Sequence, residues 1–490
     1  MEPLATSIFL TAAGFLLLAG ALMSPMSRKL GVPMLLVFLL VGMLAGEDGI
    51  GGIPFDNYET AFRLGSLALV LILFDGALNT KVSTLRSVAA PALVLATLGV
   101  VLTAAITAGA GLLLGLSLPV AVLVGCVVSS TDAAAVFNVL RGGGIRLRGK
   151  TGALLEVESG INDPMAMMLT VVGTEYFVGG PQAGEGTLIF LARQLVVGAI
   201  GGLAIGWLGR FVLHRAHLPA AGLYPVLSVA IALIAFGLPS LFEGSGLLSV
   251  YLAGLVIGSG GMPYRAGTLR VHDALAWLAQ LVMFLMLGLL VMPQHLVSFA
   301  DEGFAVAIVL VFVARPIAVL LLLAPFRMEL KERLFTAWVG MRGAVPIILA
   351  TYPVLRGVPS GDEIFHVVFF IVLLNGLVPG ATLAWLARRW QLTAPAITAP
   401  PASVELVSLS DYAGEFHWYY VAPPSAVCGA HVRDLPLPTD CVLTLILRGH
   451  EVLAPRGMTC LQPDDHVCVF STKEHSAFLN LLFGASDESD

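Results

Sequence analysis

The chain has 490 residues, of which 57% are hydrophobic and only 12% are charged. Soluble domains carry about 25% charged residues, so this composition excludes a chain built mainly of soluble domains. The formal net charge of −6 averages over two sides of a membrane and a tail, so we sort the charges by loop. We expect no nucleic-acid partner.

Repeated apolar runs of roughly 18 to 25 residues match a lipid hydrocarbon core of about 30 Å. We predict about thirteen membrane spans. Their centres lie near residues 15, 38, 70, 102, 128, 163, 200, 232, 251, 280, 311, 343 and 375. The chain is therefore predicted to be a multi-pass protein of the cell (inner) membrane, with the lipid bilayer as its surroundings.

Basic residues concentrate in alternate loops, from Arg28 and Lys29 near the first span to Arg388 and Arg389 after the last. The intervening loops carry mostly acidic residues. Loops rich in lysine and arginine face the cytoplasm, so the N-terminus is predicted outside and the C-terminus inside. No basic segment precedes the first apolar run, which argues against a cleaved signal peptide.

Two apolar runs are broken by polar or helix-weakening residues. The fifth span contains Ser-Ser-Thr-Asp at 129–132, and the twelfth contains Gly-Met-Arg-Gly at 340–343. Either break alone would be read as a packing kink at small residues. Broken helices at corresponding positions of two halves indicate a transporter with inverted repeats and a site near the bilayer midplane.

Charges near the bilayer centre are costly, so the few that occur there are the best functional candidates. They are Asp132, Glu158, Asp163, Arg315 and Arg342. In the sixth span, Glu158, Ser159, Asn162 and Asp163 project from one side of a helix within about one and a half turns. Their oxygen atoms suit a partly dehydrated alkali cation, and a carboxylate can also carry a proton.

Each of these acids has an alternative structural reading. Glu158 is expected to be neutralised by an arginine, with Arg315 as the first choice and Arg342 as the second. Asp163 would otherwise be a permanently protonated acid bonded to Asn162. For Asp132, stabilisation of the helix end at the break and direct ligation of a cation stay equally open.

At this point the motifs resemble a known family. Thr131-Asp132, the run from Glu158 through Pro164, Ala-Arg-Pro at 314–316 and Met-Arg-Gly-Ala at 341–344 resemble the NhaP-type cation:proton antiporters across residues 1–390. The resemblance implies an all-α, NhaA/NhaP-like fold of thirteen helices in inverted repeats, with two unwound helices that cross, and a homodimer. One departure is Ala133, where many relatives have proline.

The resemblance also assigns roles within the site. Asp163 would bind cation and proton in turn, with Ser159, Thr131, Asp132 and Asn162 completing or polarising the site. Glu158 would form a structural ion bridge with Arg315 or Arg342. The chain would be a transporter and not an enzyme, its substrates being H⁺ and a monovalent cation, with no cofactor.

The composition changes after Trp390, where a linker rich in Pro, Ala and Thr spans 391–402. Alternating stretches at 417–421, 442–447 and 466–470 predict strands, and 473–483 predicts a helix, so 403–490 is read as a cytosolic α+β domain. The five cysteines lack metal-ligand spacing and are interpreted as reduced packing residues.

The turn residues of this tail resemble the TrkA-C or RCK-C type of regulatory domain. Its markers include Val-Cys-Gly at 427–429, Leu-Arg-Gly at 447–449 and Leu-Gln-Pro-Asp-Asp at 461–465. That resemblance implies a small-molecule or nucleotide ligand for 403–490, and it favours K⁺ as the transported cation.

A single exchangeable carboxylate holds either a proton or a cation, so we predict one-for-one, electroneutral exchange in the service of pH homeostasis. Two alternatives are kept. The first is Na⁺/H⁺ exchange by the same kind of site. The second is a ligand-gated cation channel, which sits poorly with buried acids and arginines and with the absence of a TVGYG filter sequence.

Overall fold

The computed structural model describes residues 2–30, 33–80, 82–142, 144–180, 186–260, 262–394, 414–423, 425, 427–449 and 451–484. The chain divides into two compact units, Met1–Gly260 with Thr268–Ala394, and Gly261–Gly267 with Pro395–Asp490. Most of the predicted linker and the start of the predicted tail, 395–413, lie outside the described residues. The boundaries of the three predicted regions stay predictions.

Helices make up almost all of the larger unit. Those of its first part are α1 (Glu2–Leu30), α2 (Met34–Ala45), α3 (Tyr58–Asn79), α4 (Val82–Val94), α5 (Val100–Leu113), α6 (Leu118–Val127), α7 (Ala133–Gly142), α8 (Thr151–Phe177) and α9 (Gly186–Arg215). Those of its second part are α10 (Leu223–Leu241), α11 (Gly246–Gly258), α12 (Arg265–Leu290), α13 (Pro293–Ser298), α14 (Ala300–Val309), α15 (Arg315–Leu322), α16 (Leu330–Trp338), α17 (Ala344–Leu355) and α18 (Gly361–Arg389).

The predicted spans agree with this helix order. Every predicted centre lies in a helical segment or between two halves of an interrupted helix. Within the described residues, 8 helical segments are long and apolar enough to cross a membrane, and four shorter apolar helices accompany them. The mostly helical membrane fold is confirmed, whereas the count of thirteen spans stays a prediction.

Two spans contain a π-helical segment. Leu95–Gly99 joins α4 to α5, and Leu310–Ala314 joins α14 to α15. Pro91 precedes the first segment and Pro316 follows the second. Pro316 has no N–H to donate to the carbonyl of Phe312, which lies in the second segment, and the widened turn there accommodates this gap in the i to i−4 ladder.

The two breaks predicted from sequence separate α6 from α7 and α16 from α17. Residues 128–132 and 339–343 are not helical, and the two segments contact each other. By contrast, the sixth span remains one continuous helix, α8, even though Pro164 lies inside it. The structure therefore places one unbroken helix beside two crossing, interrupted ones.

The C-terminal unit contains a sheet of four antiparallel strands in the order β1-β4-β2-β3. The strands are β1 (Glu415–Tyr420), β2 (Val442–Arg448), β3 (Glu451–Leu453) and β4 (His466–Ser471), and α19 (Ser476–Phe483) follows them. Arg448 pairs with the fully buried Asp465 through two hydrogen bonds of 2.8 Å. This pairing raises the pKa of the Arg448 guanidinium, chiefly through the hydrogen bond.

Candidate functional site

The two unwound segments form the framework of the site. The backbone N–H of Asp132 donates to the carbonyl of Met341 at 2.9 Å, which joins the break in one helix to the break in the other. Gly343 permits this approach, because a methyl group at its Cα would collide with the Asp132 carboxylate. Backbone left free by unwinding is thus satisfied within the protein, as a membrane interior requires.

One side of α8 binds to the first unwound segment. Asn162 donates from Nδ2 to the Thr131 hydroxyl at 2.6 Å, and the Ser159 hydroxyl accepts from the Ala133 backbone N–H at 3.1 Å. Ser159 therefore satisfies one of the free N–H groups at the start of α7. The predicted site residues of the fifth and sixth spans are brought together by these two contacts.

Asp132 caps α7. Its Oδ1 accepts a hydrogen bond of 3.0 Å from the backbone N–H of Ala135, three residues on. An anionic cap at the positive end of a helix is favourable on both hydrogen-bonding and dipole grounds. Asp132 is also partly exposed, and its other carboxylate oxygen faces Gly343.

Asp163 lies next to Asn162 on α8. It is partly exposed, and its Oδ1 has no hydrogen-bond partner among the residues that the structure describes. Asp132, Ser130 and Arg342 lie close enough to interact with it. Oδ1 of the neighbouring Asn162 also lacks a partner within the described part of the chain. Unpaired oxygens beside a carboxylate fit a hard monovalent cation.

Glu158 lies on the same helix but is engaged differently. Its two carboxylate oxygens accept from the two terminal nitrogens of Arg315 at 2.6 and 3.0 Å. Glu158 is 0% exposed and Arg315 is 4% exposed. A buried, two-point guanidinium–carboxylate pair is among the strongest charge-assisted contacts in proteins. Of the two candidate partners for Glu158, Arg315 makes the contact.

Arg342 stands apart from that pair. It is only 2% exposed, and none of its three guanidinium nitrogens has a hydrogen-bond partner in the described ranges of the chain. It lies within electrostatic range of Arg315, Glu158 and Asp163. A buried charge without hydrogen bonds is expensive, so Arg342 is held where two carboxylates offset its charge from a distance.

The structure brings two groups to the site that the sequence does not assign to it. The sequence places Ser130 in the break but does not make it a neighbour of Asp163, and it gives no role to the Met341 carbonyl. A hydroxyl inside an unwound segment is a usable signal for the first. Pairing between two backbone segments 209 residues apart leaves no signal in side-chain type.

Comparisons with known proteins identify relatives of both parts of the chain. The profile described as "Sodium/hydrogen exchanger, transmembrane" matches residues 15–389, and that of the TrkA-C domain matches 416–482. The K(+)/H(+) antiporter NhaP of Alkalimonas amylolytica is 40% identical over 95% of this chain and 81% of its own length. NhaP2 of Shewanella oneidensis, also a K(+)/H(+) antiporter, is 40% identical over 99% of this chain and 84% of its own.

A solved structure shares the fold as well. The sodium proton antiporter MjNhaP1 from Methanocaldococcus jannaschii superposes with a TM-score of 0.68 at 26% identity, covering 78% of this chain and 99% of its own.

Proposed function

The chain belongs to the sodium/hydrogen exchanger family, and from this premise we propose that it exchanges K⁺ for H⁺ at one site centred on Asp163. The family is one of transporters rather than catalysts. The observation that carries the proposal is the pair of unpartnered oxygens on Asp163 and Asn162, beside the crossing of two unwound segments. Ser159, Thr131 and Asp132 provide further oxygens around it.

The proposed mechanism is competition. A proton on Asp163 removes the negative charge that a cation needs, and a bound cation displaces the proton. Because Glu158 is engaged by Arg315, Asp163 is the exchangeable one of these two carboxylates. One proton would then leave for each cation bound, and the exchange would be electroneutral.

K⁺ is favoured over Na⁺ by the extent of the similarity. The two relatives named as K(+)/H(+) antiporters align over 95% and 99% of this chain, tail included. The sodium antiporter structure covers 78% of it. We propose that the tail binds a small molecule or nucleotide and adjusts the rate of K⁺ exchange. Na⁺/H⁺ exchange remains the alternative.

The proposal also covers the orientation of the chain in the membrane and its assembly. The distribution of basic loops supports an inner-membrane protein with its N-terminus outside and its tail in the cytoplasm. The resemblance supports a homodimer. Few residues in the most apolar parts of Thr6–Pro25 and Gly186–Arg215 are buried within one chain, which leaves broad faces for lipid or a second copy.

Dequenching of a pH-sensitive dye in inverted vesicles tests the function. Adding K⁺ should restore fluorescence for the wild type and for the control D301N, which removes an exposed acid at the start of α14. The D163N variant should show no response. Na⁺ and Li⁺, added separately, report selectivity. A channel would instead conduct K⁺ without proton movement and would keep its conductance in D163N, an outcome that refutes the proposal.

A further inference from the structure

A partly exposed stripe runs along α8 from its beginning to the proposed site. Gly152, Glu156, Ser159 and Asp163 follow one another at intervals of four, three and four residues, and all four are partly exposed. Residues at such intervals lie on one helix face. The stripe thus connects Asp163 with the end of α8 that the basic loops assign to the cytoplasm, and Glu156 is its second carboxylate.

Glu156 contacts a helix outside the crossing pair. Its Oε1 accepts a hydrogen bond of 2.9 Å from the hydroxyl of Thr80, the residue that directly follows α3. Thr80 also donates to the carbonyl of Gly76 at 2.8 Å, so its hydroxyl is shared between the two acceptors. The carboxylate of Glu156 therefore lies between α8 and α3.

A buried hydroxyl faces the same region from α11. Tyr251 is 2% exposed, interacts electrostatically with Glu156, and its hydroxyl has no hydrogen-bond partner among the described residues. Its ring lies over Gly160, where a methyl group would strike the ring. Gly160 is one turn from Glu156 and just under one turn from Asp163, so the ring sits between the two acids along α8.

We propose that Glu156 and the Tyr251 hydroxyl form a transit site for a partly hydrated monovalent cation on the cytoplasmic path to Asp163. The proposal rests on the proposed function. A buried hydroxyl without a partner loses free energy unless water or a ligand meets it, and a nearby carboxylate makes a cation with its water the favourable occupant. Carboxylate, hydroxyl and water are the hard oxygen ligands that such ions take.

The transit site would affect how readily the cation reaches Asp163, and not the maximal rate of exchange. A carboxylate on the path raises the local cation concentration before the ion reaches Asp163. Removing its charge should therefore raise the KM for cation presented from the cytoplasm and leave the maximal rate nearly unchanged. A structural link between α8 and α3 would instead depend on the hydrogen bond between Thr80 and Glu156, and not on charge.

Three variants separate these readings: E156Q, Y251F and T80V. In inverted vesicles at a fixed alkaline pH, with K⁺ added outside, we expect E156Q to raise the KM about fivefold, the loss of roughly one attractive interaction of 1 kcal/mol at a partly exposed site. Y251F, which keeps the ring over Gly160, should raise it about twofold to fivefold. T80V should leave it within about twofold of the wild type.

The control is to present K⁺ from the opposite side of the membrane. In right-side-out vesicles, K⁺ added at the outer face should show the same KM in E156Q as in the wild type. An unchanged KM in E156Q and Y251F, a T80V shift equal to that of E156Q, or equal shifts from both faces would each overturn the transit site. Failure of the proposed function looks different, because D163N would then still exchange. If E156Q does not reach the membrane, Y251F decides alone.

Discussion

Arg315 holds both carboxylate oxygens of Glu158, at 2.6 and 3.0 Å, with the two side chains almost completely buried. This pairing joins α15, which begins directly after a π-helical segment, to the helix that carries Asp163. It also distinguishes Glu158 from Asp163, which lies five residues later on the same helix. Glu158 is fixed by the Arg315 guanidinium, whereas Oδ1 of Asp163 has no hydrogen-bond partner among the described residues.

Removing one partner of this pair should destabilise the protein strongly. E158Q or R315Q leaves a buried charge uncompensated, a change that costs about 3 to 5 kcal/mol. We expect a large fall in the midpoint of thermal unfolding in detergent, with weak insertion in the membrane. The double variant E158L/R315M, which replaces the pair by apolar groups of similar size, should recover most of the midpoint. A double variant as unstable as the singles would contradict the assignment.

The sequence predicts the participants of the site better than their geometry. Helical periodicity and the rarity of charges in apolar runs are enough to single out Asp132, Glu158 and Asp163. They do not choose between Arg315 and Arg342 as the partner of Glu158, because both lie at a suitable depth and only three-dimensional packing decides which guanidinium reaches it. The role of each residue in transport stays a prediction.

Asp132 can be tested as a helix cap and as a ligand separately. D132N keeps an oxygen that can accept from the Ala135 N–H, whereas D132A removes it. We expect D132N to unfold near the wild-type midpoint and D132A to lose about 1 kcal/mol. The KM for K⁺, measured by dye dequenching, should rise in both if the charge serves the cation. An unchanged KM in D132N would leave only the capping role.

Gly343 should tolerate no side chain. A methyl group at this position collides with the Asp132 carboxylate at the crossing, so G343A must displace either the cap or the unwound segment. Overpacking of this kind costs about 1 to 3 kcal/mol, and we expect exchange to be lost with it. The matched control is G109A in α5, where a methyl group would meet nothing within 4 Å. Wild-type exchange rates in G343A would show that the crossing can relax.

The tail shows where sequence patterns reach their limit. The three predicted strands and the final helix agree with β1, β2, β4 and α19 within a few residues. The short strand β3 is absent from the prediction, because its three residues are too few to show alternation and its pairing depends on the turn after Arg448. In the membrane unit, the contact between Tyr251 and Gly160 is equally invisible in the sequence, since it joins helices distant along the chain.

The pair of Arg448 and Asp465 should control the stability of the tail alone. Asp465 also accepts from the Gln462 backbone N–H at 2.8 Å, so D465A removes the acceptor for three donors, this N–H and two guanidinium nitrogens of Arg448. We expect faster proteolysis of the tail in the full-length protein, with an unchanged thermal midpoint for the membrane unit. R433A, which alters an exposed arginine, is the control. Equal proteolysis rates for D465A and the wild type would refute a structural role.

If proton and cation share one site, there should be a condition at which no net exchange occurs, which we call the null point. Proteoliposomes loaded and diluted so that the K⁺ ratio across the membrane equals the H⁺ ratio should show no net pH change, since one-for-one exchange is then at equilibrium. Lowering the pH should raise the KM for K⁺ by up to about tenfold per unit where the proton occupies the site, with the maximal rate unchanged, because the two ligands exclude each other. A null point at other ratios, or one that moves with an imposed membrane potential, would mean that a second carboxylate joins the exchange, and Glu156 and Asp132 would be the first to replace.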